Sequence, residues 1–331
     1  MARVLFSCPM NAERRGVLAE KNRNAFEAVI LEDLPEADRE AAWSQADILV
    51  CSGFGHDIPS DLATRAPHLR MLQALVAGVD HLPYRSFPPS LLVCGNAGAY
   101  NISVGEHTMA LLLSAAKDIP ERTREIASGI FDQDAMSKAL AGATVLVLGM
   151  GGIGTYVAKA CKAFGMQVVG VTRSGQAAAS ADESAALADV PRLLPRADYV
   201  VLALPLTRTT KGLVDRAFLA RMKDDAVLVN IARGRIVVED DLYEHLRTHP
   251  NFRAALDVWW VYPDGKAGRP FHRPFHELPN VVMTPHNANA ILPQRRWSTE
   301  AAIENVLRFL RGETPRNVVN VTDYDSVAEP R

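Results

Sequence analysis

Short apolar runs of strand length recur along the chain in two series, and a long helical pattern separates them. The first series comprises ARVLFSC, ADILVCSG, LRMLQAL and SLLVCGN, and the second comprises ATVLVLG, MQVVGV, DYVVLAL, AVLVNIA and NVVMTP. Strands that alternate with helical patterns are typical of βαβ units, which build parallel sheets. Between the series, NISVGEHTMALLLSAAKDI has apolar residues at three-to-four spacing and predicts a helix that links two sheets.

The size of the chain agrees with two domains. Its 331 residues exceed one ordinary domain, and an apolar content of 48% suffices for a core in each of two. A second helical pattern, PQRRWSTEAAIENVLRFLRGETP, follows the last run of the second series. We expect this helix to return to the first domain, so that the second domain is a central insert in an α/β protein.

Composition disfavours several classes of partner and site. Lys plus Arg (36) nearly balance Asp plus Glu (38), and no basic block is interleaved with aromatics, so neither nucleic acid nor an anionic membrane is expected as a partner. The N-terminus lacks a signal-peptide run and no stretch reaches about 18 apolar residues, which favours a cytoplasmic protein. The four cysteines are far apart without CxxC spacing, which predicts buried residues and no metal site.

A glycine-rich turn follows the first strand of the second series. TVLVLG leads into GMGGIG, where Gly149, Gly151 and Gly154 have G-x-G-x-x-G spacing, and a helical pattern follows. The first glycine permits a tight turn, the second lets a pyrophosphate approach the backbone, and the third lets the helix pack on the strand, while the helix N-terminus supplies N–H donors. With Gly152 and Ile153, these residues predict a dinucleotide site; glycines that serve only the turn are the alternative.

The end of the next strand bears on the choice of dinucleotide. MQVVGV ends in Thr172, Arg173 and Ser174, where NAD-binding folds usually place an acid for the ribose hydroxyls. An acid would repel a 2′-phosphate, whereas Arg can form charge-assisted bonds to one and Ser or Thr can add a hydroxyl donor. The pattern favours NADP, with NAD as the alternative cofactor. Otherwise Arg173 is a solvated strand-end residue, or stacks on adenine without selecting phosphate.

Six further motifs occur in order: VAGVDHLP, SVGEH, LPLTRTTKGLV, NIARGRIVVEDDL, LDVWWVYP and TPHNANA. Together with GMGGIG they resemble the D-2-hydroxyacid dehydrogenase family, which includes glyoxylate and hydroxypyruvate reductases, phosphoglycerate dehydrogenase and formate dehydrogenase. The resemblance covers nearly the whole chain and rests on the ordered set, since no single motif is decisive. It implies an NAD(P)-dependent oxidoreductase that acts on small 2-oxo or 2-hydroxy acids.

The resemblance also implies two Rossmann-like, doubly wound parallel-sheet domains with the active site in the cleft between them. Residues 1–100 and 290–331 would form a flavodoxin-like substrate domain, and residues 101–289 the dinucleotide-binding domain. Strand ends at such a crevice are also where doubly wound sheets bind ligands on physical grounds. Relatives usually pair through the nucleotide domain, so a homodimer is expected, with the apolar helix at 102–117 as its contact.

Two residues match the reactive positions of this family. Arg233, in NIARG, takes the place of the catalytic arginine, and a guanidinium there can bind the substrate carboxylate while it polarises the carbonyl. His286, in TPHNANA, matches the acid/base histidine, since the unperturbed pKa of a histidine suits proton delivery to an alkoxide near neutral pH. A surface arginine and a structural histidine are the alternatives.

Other positions are assigned by the resemblance alone, and each has a turn, loop or capping role as its alternative. The loop of Ala77 and Gly78 would hold the substrate carboxylate through backbone N–H groups, and Phe54 would line the substrate mouth. The remaining positions would contact the cofactor, from adenosine through the phosphates to the nicotinamide and its carboxamide: Pro205, Thr210, Asn101, Val104, Ala232, Asp257 and Asn289.

The sequence departs from the family at Tyr262. Most of these dehydrogenases carry a Glu five residues beyond the aspartate of LDV and directly before a proline, paired with the catalytic histidine; counting from Asp257 gives Tyr262. A neighbouring carboxylate raises the pKa of a histidine and keeps the proton donor charged. Formate dehydrogenases also lack this acid, and formate oxidation needs no proton donor to an alkoxide.

Three hypotheses about function follow from this departure. In the first, the protein is a 2-oxo acid reductase in which the Tyr262 hydroxyl holds His286, or in which Asp264 or Glu277 supplies the charge. In the second, formate or another substrate is oxidised without a proton relay. In the third, the protein is a non-catalytic dinucleotide sensor with a decayed site, although the retention of Arg233 and His286 argues against decay.

Overall fold

Two parallel sheets organise the chain. The structure is a computed structural model, and it describes residues 1–53, 57–263 and 265–324. The chain divides into two units, Met1–Tyr100 with Ile291–Arg331, and Asn101–Ala290. Each unit contains one parallel sheet with helices, so the predicted α/β class with two parallel-sheet domains is confirmed.

Within its described residues, the first unit contains five strands and four α-helices. The strands are β1 (Arg3–Phe6), β2 (Glu27–Ile30), β3 (Ile48–Cys51), β4 (Met71–Ala74) and β5 (Leu92–Cys94). The helices are α1 (Ala12–Asn22), α2 (Glu36–Ser44), α3 (Leu62–Arg65) and, from the C-terminal segment, α10 (Gln294–Leu310). The strands pair in parallel in the order β2-β1-β3-β4-β5.

Apolar side chains cover both faces of this sheet, because successive strand residues point to opposite faces. Leu49 packs on one face in a cluster that includes Trp43 of α2. Ile48 packs on the other face with Val17 of α1 and Ile303 of α10. The C-terminal helix therefore completes the core of the unit that contains the N-terminus.

The second unit contains a seven-stranded parallel sheet. Its strands are β6 (Thr144–Leu148), β7 (Gln167–Thr172), β8 (Glu183–Ala186), β9 (Tyr199–Leu202), β10 (Val227–Asn230), β11 (Arg253–Leu256) and β12 (Val281–Met283). Its helices are α4 (Asn101–Ala116), α5 (Ile119–Ala127), α6 (Gly152–Ala163), α7 (Val190–Leu193), α8 (Arg216–Leu219) and α9 (Glu239–Thr248). Across the described ranges, no helix combines the length and apolar character needed to cross a membrane.

The strand order of the second sheet reverses beside β6. The order is β12-β11-β10-β9-β6-β7-β8, so the chain runs outward from β6 through β7 to β8 and then resumes on the other side with β9. In open parallel sheets, the carboxyl ends of strands at such a reversal form the ligand crevice. The turn that contains the glycine motif leaves β6 at this point.

The helix predicted between the two strand series is α4, which begins the second unit. More than half of its residues are buried, and it packs on α6. Gly105 allows this approach, since a β-carbon there would clash with the ring of Tyr156. Met109 and Cys161 place their sulfur atoms 3.8 Å apart in the same contact. Cys161 and the other three cysteines are buried, as predicted.

Candidate functional site

The turn after β6 is closed by glycines at positions where a side chain has no room. Gly149 has φ +100°, and a β-carbon there would lie 2.5 Å from the carbonyl oxygen of Ala203. At Gly154, in the first turn of α6, a β-carbon would clash with the carbonyl oxygen of Gly149. These two glycines therefore have the turn and packing roles that the motif predicts.

Open space lies over Gly151, by contrast. A β-carbon at Gly151 would have no neighbour within 4 Å, and α6 begins directly after it with no side-chain cap on its N–H groups. Asn101 reaches the same turn, because a β-carbon at Gly152 would clash with its amide. Asn101 Oδ1 is buried, and within the described part of the chain it has no hydrogen-bond partner.

A dinucleotide pyrophosphate fits this turn on three grounds. The space over Gly151 leaves room for phosphate, and the N-terminus of α6 presents N–H donors and the positive end of the helix dipole. Buried polar atoms almost always have a hydrogen-bond partner, so the Oδ1 position of Asn101 needs one that the described residues do not supply. A rotatable amide can present its NH2 group to a phosphate oxygen.

The residues that follow β7 lie next to the glycine turn. The N–H of Gly149 donates to the carbonyl of Val171 at 2.9 Å, which joins the turn to the end of β7. Thr172 then donates its hydroxyl to the Gln176 carbonyl at 3.4 Å, while Arg173 and Ser174 are exposed. The strand end therefore presents a guanidinium and hydroxyls where many dinucleotide sites present an acid.

The loop that carries Arg233 is held by the last residue of β10. The Asn230 side chain accepts from the Ala232 N–H at 3.1 Å and donates to the Arg233 carbonyl at 2.9 Å. The guanidinium of Arg233, which is half-buried, donates to the Ala232 carbonyl at 2.8 Å. Sequence reasoning missed the role of Asn230, although a buried strand that ends in Asn directly before a reactive loop was a usable signal.

His286 lies in a loop whose backbone is held on both sides of it. Its φ is +55°, a left-handed conformation that is uncommon for a residue with a β-carbon. Before it, the Thr284 hydroxyl donates to Asp257 Oδ1 at 2.6 Å. After it, the N–H groups of Asn287 and Ala288 donate to the two Asp257 oxygens at 3.1 and 3.2 Å. The carboxylate of Asp257, only 1% exposed, therefore holds this loop together.

The two adjacent tryptophans that follow β11 contact both reactive loops. The indole N–H of Trp259 donates to the Thr284 carbonyl at 2.9 Å, and that of Trp260 donates to the Val237 carbonyl at 2.8 Å. A β-carbon at Gly234 would clash with the Trp259 carbonyl group, so the Arg233 loop approaches the Trp259 backbone closely. Since β11 lies between β10 and β12, its strand end fixes the loops on either side.

Tyr262 lies beside His286 in the structure. The centres of the two rings are 5.3 Å apart with a 50° angle between the ring planes. The Tyr262 hydroxyl accepts from the Trp259 N–H at 3.5 Å, and the side chain is 40% exposed. Of the acids that the sequence offered as replacements, Asp264 lies outside the described residues, and Glu277 lies 3.6 Å from Nε2 of His276.

Comparisons with known proteins identify the family of the chain. The family described as "D-isomer specific 2-hydroxyacid dehydrogenase, NAD binding domain" matches residues 109–288. The chain belongs to this family. It is 31% identical to D-3-phosphoglycerate dehydrogenase of Methanocaldococcus jannaschii, over 97% of this chain but 60% of that protein. The chain thus spans about three-fifths of the length of that relative, and half of the related Archaeoglobus fulgidus enzyme.

Other members of the family match over most of their length. Glyoxylate/hydroxypyruvate reductase B of Pectobacterium carotovorum is 31% identical, over 89% of this chain and 92% of that protein. The crystal structure of an NADPH-dependent glyoxylate/hydroxypyruvate reductase of Sinorhizobium meliloti, in complex with NADP and sulfate, superposes with a TM-score of 0.81. Its sequence is 26% identical, and the match covers 98% of this chain and all of that one.

The remaining positions assigned from the family have mixed surroundings. Thr210 donates its hydroxyl to the Pro205 carbonyl at 2.6 Å, so both residues support a turn whatever else they contact. Ala77 and Gly78 follow β4 in the first unit and are partly exposed. Phe54 lies outside the described residues. In the second unit, Val104 and Ala232 are buried, whereas Asn289 is exposed.

The open space over Gly151 allows a clean test of the glycine turn. Gly151→Ala should fold with a thermal midpoint near that of the wild type, because nothing lies within 4 Å of the new methyl group and φ is −71°. It should weaken dinucleotide binding about 10-fold or more, since the methyl group occupies the space for pyrophosphate. Fluorescence titration with NADPH and NADH measures the affinity.

Gly154→Ala is the matched comparison within the same turn. Its β-carbon would clash with the Gly149 carbonyl oxygen, so it should lower the free energy of unfolding by about 1–3 kcal/mol. Wild-type dinucleotide affinity in Gly151→Ala would contradict the pyrophosphate site.

Proposed function

We propose that the chain catalyses NAD(P)-dependent hydride transfer between a nicotinamide and a small 2-oxo or 2-hydroxy acid. The supporting observation is the arrangement at the carboxyl edge of the second sheet. Arg233 follows β10, His286 follows β12, and the strand between them is followed by the Trp259–Trp260 pair, which contacts both loops. Two groups that suit carbonyl reduction are thus contacted by the segment that directly follows one strand.

The chemistry of these side chains accounts for the reaction. A bound nicotinamide cofactor supplies the hydride when the substrate is reduced. Arg233 binds the carboxylate of the 2-oxo acid and polarises the adjacent carbonyl oxygen, since a guanidinium offers several fixed N–H donors. His286 donates a proton to the same oxygen as it gains negative charge, and takes a proton back in the oxidation direction. The left-handed backbone of His286 fits a site where a strained conformation aims a reactive group.

Turnover assays separate this proposal from its two alternatives. NADPH oxidation should occur with at least one of glyoxylate, hydroxypyruvate, pyruvate or a bulkier aryl 2-oxo acid. His286→Asn should lower kcat about 10²- to 10⁴-fold while NADPH still binds, because a general acid contributes in that range. Formate-dependent reduction of NADP without 2-oxo acid turnover would favour the second hypothesis. Absence of turnover with every substrate would favour the dinucleotide sensor.

The residue at position 262 should affect how kcat for reduction depends on pH. Reduction needs a protonated His286, so the rate should fall as the pH rises through the pKa of that group. Tyr262→Glu should place a carboxylate beside the imidazole, raise that pKa and move the fall in kcat upward by about one pH unit. Tyr262→Gln is the uncharged control and should not move it. An unchanged profile in Tyr262→Glu would mean that another acid already supports His286.

We propose NADP as the preferred cofactor. The support is the exposed Arg173 at the end of β7, next to the glycine turn, and the absence of Asp or Glu among Thr172, Arg173 and Ser174. The related Sinorhizobium meliloti reductase is NADPH-dependent and carries NADP in its crystal structure. We place the pyrophosphate between Asn101 and the glycine turn. Contacts of Asp257 and Asn289 with the carboxamide stay predictions.

Replacement of Arg173 tests this preference. Arg173→Ala should raise KM for NADPH about 10-fold or more and leave KM for NADH nearly unchanged, because only NADPH carries the 2′-phosphate that the guanidinium would bind. Arg173→Lys retains a charge and should lie between the two. Equal effects on both cofactors would show that Arg173 does not select phosphate. Steady-state kinetics with each cofactor gives these values.

We propose that the protein forms a homodimer through the second unit. The contact expected from the sequence, the helix at 102–117, is α4, and more than half of its residues are buried. Large exposed apolar side chains lie in and after α5, at Ile126, Ile130, Phe131 and Met136. Large exposed apolar side chains concentrated in one segment are typical of an interface. Sedimentation equilibrium should give twice the mass of one chain, and Phe131→Glu should lower it; a monomeric wild type would contradict the proposal.

A further inference from the structure

His107, on α4, contacts the network that holds the His286 loop. Its Nε2 atom lies 3.0 Å from Thr284 Oγ1 and 3.5 Å from Asp257 Oδ1, and its side chain is 23% exposed. The sequence motif SVGEH offered no reason to place this histidine near the reactive loop. The fold brings it there because α4 packs against β11 and β12.

The direction of each hydrogen bond in this network follows from the number of protons. Thr284 has one hydroxyl proton, and it points to Asp257 Oδ1 at 2.6 Å, since an ionised carboxylate can only accept. The Thr284 oxygen must therefore accept from His107, so Nε2 of His107 carries a proton. The chain of donors runs from His107 through Thr284 to Asp257.

The end of this chain is the backbone around the proposed proton donor. Asp257 accepts from the N–H groups of Asn287 and Ala288, the two residues that follow His286. Those bonds hold His286 in its left-handed conformation, with φ +55°. The orientation of the Asp257 carboxylate depends in turn on Thr284, which donates to Oδ1, the oxygen that also accepts from Asn287. His107 Nε2 lies 3.5 Å from the same oxygen.

We propose that His107 is a positioning residue for His286 that acts through Thr284 and Asp257. Its Nε2 hydrogen-bonds to Thr284, and its effect is to orient the carboxylate that holds the loop. The inference rests on the proposed acid–base role of His286. It assigns a specific task to the Nε2–H group: without that donor, the hydroxyl of Thr284 can turn away from Asp257.

Two replacements of His107 distinguish the donor from the ring. The side-chain amide nitrogen of Gln reaches the position of Nε2, whereas that of Asn reaches only the position of Nδ1. His107→Asn should lower kcat for 2-oxo acid reduction about 10-fold or more with little change in substrate KM, because small misplacements of a catalytic group have effects of this size. His107→Gln should recover most of that loss. His249→Asn, at the end of α9, is the matched control and should behave as the wild type.

Hydrogen exchange gives a readout that does not depend on turnover. In His107→Asn, a peptide covering residues 284–290 should exchange several-fold faster than in the wild type, and in His107→Gln it should be protected. Thr284→Val removes the hydroxyl and should give the same faster exchange. The double variant His107→Asn/Thr284→Val should exchange no faster than either single variant, because both replacements break the same series of hydrogen bonds.

Equal kcat losses in His107→Asn and His107→Gln would overturn the inference, since a donor role predicts rescue. Unchanged exchange at residues 284–290 in His107→Asn, or additive losses in the double variant with Thr284→Val, would also overturn it. If no 2-oxo acid is turned over, the proposed function fails, while hydrogen exchange still decides whether His107 holds the loop.

Discussion

The close approach of Gly234 to the backbone of Trp259 is the contact on which the geometry of the reactive loops depends. A β-carbon at position 234 would clash with the Trp259 carbonyl group, so the Arg233 loop can lie against the end of β11 only with glycine there. The same tryptophan donates its indole N–H to the Thr284 carbonyl and so fixes the loop of His286. One residue just after β11, the strand between β10 and β12, therefore contacts both reactive loops.

Asp257 adds a second constraint at the same strand end. It is buried, and its oxygens accept from the N–H groups of Asn287 and Ala288 and from the Thr284 hydroxyl, with His107 close by. A buried carboxylate is tolerated only when such donors compensate for lost hydration. Loss of one of these donors would therefore have two effects at once. It would leave the buried charge of Asp257 uncompensated, and it would loosen the loop of His286.

The parts of the site that were predicted from the sequence share one property, which is local pattern. Strand, glycine spacing and helix at residues 144–163 determine a turn by themselves, and the structure has that turn. Tyr262 shows what local pattern does not predict, which is the direction of a side chain in a loop. The sequence located a departure from the family, and the structure places the ring beside His286 with its hydroxyl near the Trp259 N–H. Donation from that hydroxyl to His286 stays a prediction, because the direction of a side chain in a loop follows from packing.

The sequence by itself determined the two parallel sheets, the glycine turn and the family, since hydrophobic period, glycine spacing and motif order are properties of neighbouring residues. Only the tertiary structure decided which distant groups support them. Asn101 meets the glycine turn from another helix, and His107 reaches Thr284 across 177 positions of the chain. The physical reason is that hydrogen bonds between such positions depend on how α4 packs on the sheet. This packing is driven by burial of the apolar face of the helix. The apolar pattern in the sequence does not specify which partners the polar residues of the helix will meet.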